Sequence, residues 1–130
     1  MLEFATSNFD AIAVCESRIR LANRFTEEID ARLKIVQPDG YEAQELRAAR
    51  HELSRAIAIA QEKLQKLPRP PKLDSEGERR RRINEAREAE AVSNTLAFVE
   101  TLRAQGDHRQ ARIHLLAAID HRADIERETA

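Results

Sequence analysis

Four consecutive arginines, Arg79, Arg80, Arg81 and Arg82, are the sharpest chemical feature of the chain, and Lys63, Lys66, Arg69 and Lys72 stand just before them. Phosphate contacts need such clusters of guanidinium and ammonium groups. Against that use, Asp74, Glu76, Glu78 and Glu85 interleave the cluster and would repel a polyanion. No aromatic residue lies nearby for bases to stack on. On a helix, moreover, four successive residues turn by about 100° each and spread around the circumference instead of lining one groove. A solvated charged helix, or an arginine surface for an acidic protein partner, is the preferred reading, with nucleic-acid binding as the alternative.

A second candidate lies on the last predicted helix, where His114, His121, Asp124 and Glu128 follow one another at steps of seven, three and four. That spacing keeps them on one flank, and imidazole with carboxylates suits a transition metal. Residues seven apart, however, are separated by about 10 Å along the axis, so His114 and His121 do not share an ion. His121 with Asp124 would need ligands from another helix, and the Glu-x-x-His pairs of di-iron bundles are absent from the chain. No metal or other cofactor is expected. Cys15 reads as a small buried hydrophobe, because no histidine or basic cluster adjoins it to activate the thiol. His51 and Glu52 are neighbours in sequence but point about 100° apart on a helix, so they form no acid–base couple. No serine sits in a glycine-flanked elbow and no glycine-rich loop exists to cradle phosphate. The expectation is a protein that is not an enzyme.

Composition bounds what can position these groups. Within 130 residues the apolar fraction of 42% is inflated by 21 alanines, while Leu, Ile, Val and Phe together supply 30 residues, so the core is thin. Charged residues make up 35% of the chain yet sum to a net charge of −1, which leaves no overall field to steer the molecule to nucleic acid or membranes. One cysteine permits no internal disulfide and points to a reducing compartment. Met1-Leu2-Glu3-Phe4 has no basic region followed by an apolar run, and no stretch approaches the ~20 apolar residues of a membrane span. A cytoplasmic location and no membrane association are expected. Three glycines, no tryptophan and scattered β-branched residues leave little from which to build strands.

The chain divides at Leu67-Pro68-Arg69-Pro70-Pro71-Lys72, where three prolines in four residues exclude a helix. Residues 1–67 read as a first helical hairpin, 68–74 as a proline-rich hinge and 75–130 as a second hairpin. Ser7 with Asp10, Asp39 with Glu42, Ser75 with Glu78 and Asp107 with Gln110 all fit capping boxes, which places four helix starts. In the first helix Ile12, Cys15, Ile19, Ala22, Phe25, Ile29, Leu33 and Val36 recur at three- and four-residue steps. In the second, Leu46, Ala49, Leu53, Ala56, Ile57, Ala60, Leu64 and Leu67 do so, with a seven-residue series at 46, 53, 60 and 67. The short Gln37-Pro38-Asp39-Gly40 turn then requires antiparallel packing along a coiled-coil-like seam.

The third helix changes character along its length. From Glu76 to Ala91, ten of sixteen residues are charged and Ile83 is the only large apolar one. Glu76 with Arg80 and Glu78 with Arg82 are acid-before-base pairs one turn apart, worth about 0.2–0.5 kcal/mol each. Beyond Ala91, the residues Val92, Leu96, Val99 and Leu102 form a packing face beside Phe98. Leu102, Gly106, Asp107, Ala111, Leu115 and Ala118 stand at the spacing of a tetratricopeptide repeat, and this stretch, about a fifth of the chain, resembles one. Thr95, Val99, His108 and Ala123 depart from that repeat's aromatic, small and proline positions, and no second copy follows. The resemblance implies helical-hairpin geometry and no more.

In the last helix only Arg112 and His114 are polar between Ala111 and Ile119. So broad an apolar surface belongs to a central helix or a subunit contact. The reading as a whole is an all-α protein, two antiparallel hairpins forming a four-helix bundle, with an elongated dimer as the variant. Its expected role is a non-catalytic interaction module: an adaptor, an assembly or secretion chaperone, or a small structural subunit. Ile113, Leu116 and Ile119 would contact a protein partner or a second copy in a homodimer, and Arg79 to Arg82 would set orientation.

Overall fold

The computed structural model describes the backbone of residues 2–68 and 75–129, and the side chains of residues 11–68 and 76–119. Four helices follow in order: α1 (Leu2–Leu33), α2 (Tyr41–Lys66), α3 (Ser75–Ala104) and α4 (His108–Thr129). The protein is all-α, and the hairpins α1–α2 and α3–α4 pack together as a helical bundle.

Ion pairs between helices give the directions. Asp30 meets Arg50 at 2.6 Å and Arg32 meets Glu42, so α1 and α2 are antiparallel. Arg20 meets Glu88 at 2.7 Å and Arg32 meets Glu100 at 3.1 Å, so α1 and α3 run the same way. Helices α1, α2 and α4 pack against one another, while α3 lies on α4 and more sparsely along α1. Among the described residues, α2 and α3 do not touch.

The core is built from few large side chains. Phe25, Ile29, Leu53, Val99 and Leu115 are its fully buried members, with Leu21, Leu46, Val92 and Ile119 around them. Ala22, Ala43, Ala49, Ala60 and Ala111 are also buried, and their small side chains let helix backbones approach closely. The seven-residue series in α2 lies along the core, with Leu46, Leu53 and Ala60 buried and Leu67 half-buried at the C-cap. In α1 the buried face is wider than the expected line, because Val14, Ser17 and Leu21 are buried beside Cys15, Ala22 and Phe25. A helix that touches three others must bury more than one face.

Three of the four capping boxes require correction or lie beyond view. Helix α1 begins at Leu2, so Ser7 is inside it and does not cap it. Leu2 to Thr6 contain neither Pro nor Gly, and nothing stops the helix from extending back past the serine. The N-cap of α2 is Gly40, in extended backbone without a side-chain cap, so Asp39 and Glu42 form no box. Glu42 reaches instead across the hairpin to Arg32, where a charge-assisted bond outcompetes the local one. The side chain of Ser75, and residues 69–74 of the hinge, lie outside the described residues.

The turn between α3 and α4 is the best-defined stop. Asp107 N–H donates to the Leu102 carbonyl at 2.9 Å and Gly106 N–H to that of Arg103 at 3.0 Å, the paired bonds of a Schellman motif. Gly106 has φ +79, the left-handed conformation this motif needs at that position. Asp107 Oδ1 then accepts the Gln110 amide at 3.3 Å, capping α4. The return bond of the box is not made, since the Asp107 amide is already spent on Leu102. A Cβ at Gly106 would meet nothing within 4 Å, so Gly106→Ala carries only conformational strain. It is expected to cost about 1–2 kcal/mol, seen as a lower urea midpoint at constant slope.

Candidate functional site

The arginine cluster sits on the first half of α3, and the helix divides it. Arg81 bonds Glu85 one turn on at 3.3 Å. Arg79, Arg80 and Arg82 are exposed and make no ion pair with another described residue. The expected Glu76–Arg80 and Glu78–Arg82 pairs are absent among the described residues; the pair formed on this stretch is Arg81–Glu85. From Glu76 to Arg87 no side chain is buried, and Ile83 is 42% exposed.

Burial of α3 begins at Glu88, a residue the sequence reading passed over. Its side chain is 7% exposed, and its two oxygens accept from Arg20 Nε and Nη2 at 2.8 and 2.7 Å. Fifteen residues on, Arg103 is 7% exposed and donates to both oxygens of Glu28. Glu88, Val92, Val99 and Arg103 fall at steps of four, seven and four, so acid, valines and arginine share one inward row. That register was the available signal. The contact of α3 with α1 is thus a seam of ion pairs at both ends of a short apolar strip.

These pairs act on the arginines. The hydrogen bond that Arg20 donates to Glu88, against a desolvation cost and aided by the charges of Glu88, Glu16 and Glu85, holds the Arg20 guanidinium above its ordinary titration range. Burial works against the charge on Arg32, yet Glu42 and Glu100 outweigh it and raise it. Arg112 is raised by its bond to Glu45, with Glu52 adding at 3.0 Å. A folded-state value raised above the unfolded one stabilises the fold below the unfolded value. The contribution is complete at neutral pH and is lost only in strong alkali.

The apolar surface expected on α4 is not one surface. Ala111, Leu115 and Ile119, at steps of four, face the core, and Ile119 is 3% exposed. Ile113, about 240° round the helix from Ile119, is 41% exposed. Leu116 lies between, packed on the edge of the core. Each is explained by the three helices that pack on α4, which consume most of its circumference. His114 turns towards α3 and packs, tilted by 51°, against the exposed Phe98 ring, with centroids 4.5 Å apart. His121, Asp124 and Glu128 lie outside the described side chains, and no group of three metal-ligand residues occurs among those described.

A crevice opens beside the start of α4, between the first turns of α2 and the end of α3, lined by Glu42, Glu45, Arg103, His108 and Arg112. It has room for about one water molecule. His108 Nδ1 is buried there without a hydrogen-bond partner, and the ring stands edge-on to Tyr41 at 5.9 Å. Cys15 is buried and free, whereas His51 and Glu52 are both exposed on α2.

Comparison with protein-family models, with curated proteins and with solved structures finds no match. The tetratricopeptide likeness therefore rests on its own residues. Gly106 and Asp107 form the Schellman turn, Ala111 and Leu115 are buried, and Leu102 and Ala118 pack at the margin of the core. Those are the demands of any tight helical hairpin with a glycine stop. No described helix is long and apolar enough to cross a membrane.

Proposed function

We propose that the chain is a non-catalytic protein–protein interaction module: an adaptor, an assembly or secretion chaperone, or a small structural subunit, acting in a reducing cytoplasmic setting. The observation that carries this reading is the first half of α3, where three turns of helix are held against solvent without a buried side chain. Ordering that segment costs conformational entropy that no core burial offsets. A partner packed on it would supply the missing contacts. The exposed Ile113, next to the half-buried Leu116, offers a second contact on α4, for a partner protein or for another copy of the chain in a homodimer.

Affinity capture from native lysate, with and without nuclease, tests the reading. A protein that stays bound after nuclease supports it. Material lost with nuclease moves the function to the alternative, a nucleic-acid-binding bundle, which the exposed Arg79, Arg80 and Arg82 favour. Such binding would also weaken steeply between low and physiological salt. Ile113→Asp separates the two surfaces, since its outward position leaves the fold intact. Capture or self-association weakened by about tenfold, the effect of one good apolar contact, is the expected result; an unchanged complex removes the α4 contact from the proposal.

A further inference from the structure

The outward ridge of α3 carries an ordered charge pattern. Taking Ile83 as its midline, Glu76, Arg79, Arg80, Ala86, Arg87 and Glu90 all fall within about 60° of it on the helical wheel. Every one is exposed. The inward row of Glu88, Val92, Val99 and Arg103 lies on the opposite side. Along the axis the ridge reads acid, base, apolar, base, acid. The glutamates stand seven residues to either side of Ile83, and arginines stand three or four residues away from it in each direction. None of the five charges pairs with another described residue, whereas the inward Glu88 and Arg103 are both engaged.

The order of signs decides what fits. A second copy laid along the ridge and centred on Ile83 would set glutamate on glutamate and arginine on arginine. Because the pattern is the same in both directions, this holds for parallel and antiparallel pairing alike. Like charges held opposite one another on facing helices exclude that pairing. A phosphate backbone running the length of the ridge would meet carboxylates at both ends. The complementary occupant is a helix with an apolar residue at its centre, carboxylates three or four residues to each side, and lysine or arginine seven residues to each side.

We propose that this ridge docks such an amphipathic helix from a different protein, with Ile83 at the middle of the contact, Arg79, Arg80 and Arg87 meeting its acids, and Glu76 and Glu90 meeting its bases. The proposal rests on the interaction-module reading and names the chemistry of the partner. Exposed pairs are individually weak and are screened by salt, so specificity comes from the set of signs and is read at low ionic strength.

The probe is a stapled helical peptide with a central leucine, glutamates three and four residues to each side and lysines seven to each side. Its control exchanges glutamate and lysine at every charged position, so that each sign is reversed. Fluorescence anisotropy on the full chain is expected to show the matched peptide binding at least about tenfold tighter. The preference is expected to invert for a chain carrying Arg79→Glu, Arg80→Glu, Arg87→Glu, Glu76→Lys and Glu90→Lys, whose helical circular dichroism is checked first. Equal binding of both peptides, or of neither, overturns the proposal. So does labelled single-stranded RNA binding tighter than the matched peptide and lost in the reversed chain, or a dimer of the native chain abolished by the reversal. A lysate protein retained equally by native and reversed chains overturns the ridge alone and leaves the interaction module standing. Failure to capture any protein, with the matched peptide still preferred, has the opposite meaning.

Discussion

Phe25→Ala is expected to lower the unfolding free energy by about 3–5 kcal/mol, a large share of the roughly 5–15 kcal/mol that holds a domain together. Phe25 is 1% exposed and is the largest of the fully buried side chains. It belongs to a core whose other members include Ala22, Ala49 and Ala111, which have no length with which to fill a vacated space. The cavity therefore persists, and its cost adds to the lost transfer free energy. Urea unfolding followed by circular dichroism reads the change as a lower midpoint. Phe98→Ala is the control. Phe98 is half-exposed and rests on His114, so its loss is expected to cost no more than about 1.5 kcal/mol. Similar losses for the two variants would mean that the core does not centre on α1.

Arg103→Ala is expected to cost about 2–4 kcal/mol, somewhat below the range for breaking a fully buried pair. The Arg103 side chain is 4% exposed and that of Glu28 is 24% exposed, so the carboxylate left behind recovers only part of its hydration. Glu100, 3.8 Å from Arg103, is more than half exposed and is hydrated without it. The cost lies in the stranded Glu28, which makes a specific prediction: replacing both partners, Arg103→Met with Glu28→Leu, restores most of the lost stability. A double-mutant cycle on urea midpoints measures the coupling. If the double variant is as unstable as the sum of the two singles, the pair does not act as a unit and the α1–α3 seam is held by its valines.

Much of the bundle was legible because helical periodicity and glycine stops are local. Ile29, Leu46, Leu53 and Val99 follow from the three- and four-residue recurrence, and the α3–α4 turn from Gly106 with Asp107. The capping boxes were less informative, because a serine or aspartate offers a start without compelling one. Helix α1 runs through Ser7, and Glu42 leaves its box for Arg32. Of the candidate surface, the exposure of Arg79 to Arg82 was legible from the charge density around them. The fates of Ile113, Leu116 and Ile119 were not, because an all-apolar stretch does not say which of its sides a neighbour covers.

By itself, then, the sequence determined the helices, their two tight turns and the absence of an apolar face on the first half of α3, all of which depend on residues within a few turns of one another. Only the tertiary structure decided that Glu88 and Arg103 are buried and that Ile119 faces the core. Those outcomes depend on partners such as Arg20 and Glu28, some seventy residues away. A local pattern fixes the direction in which a side chain points but not what it meets there.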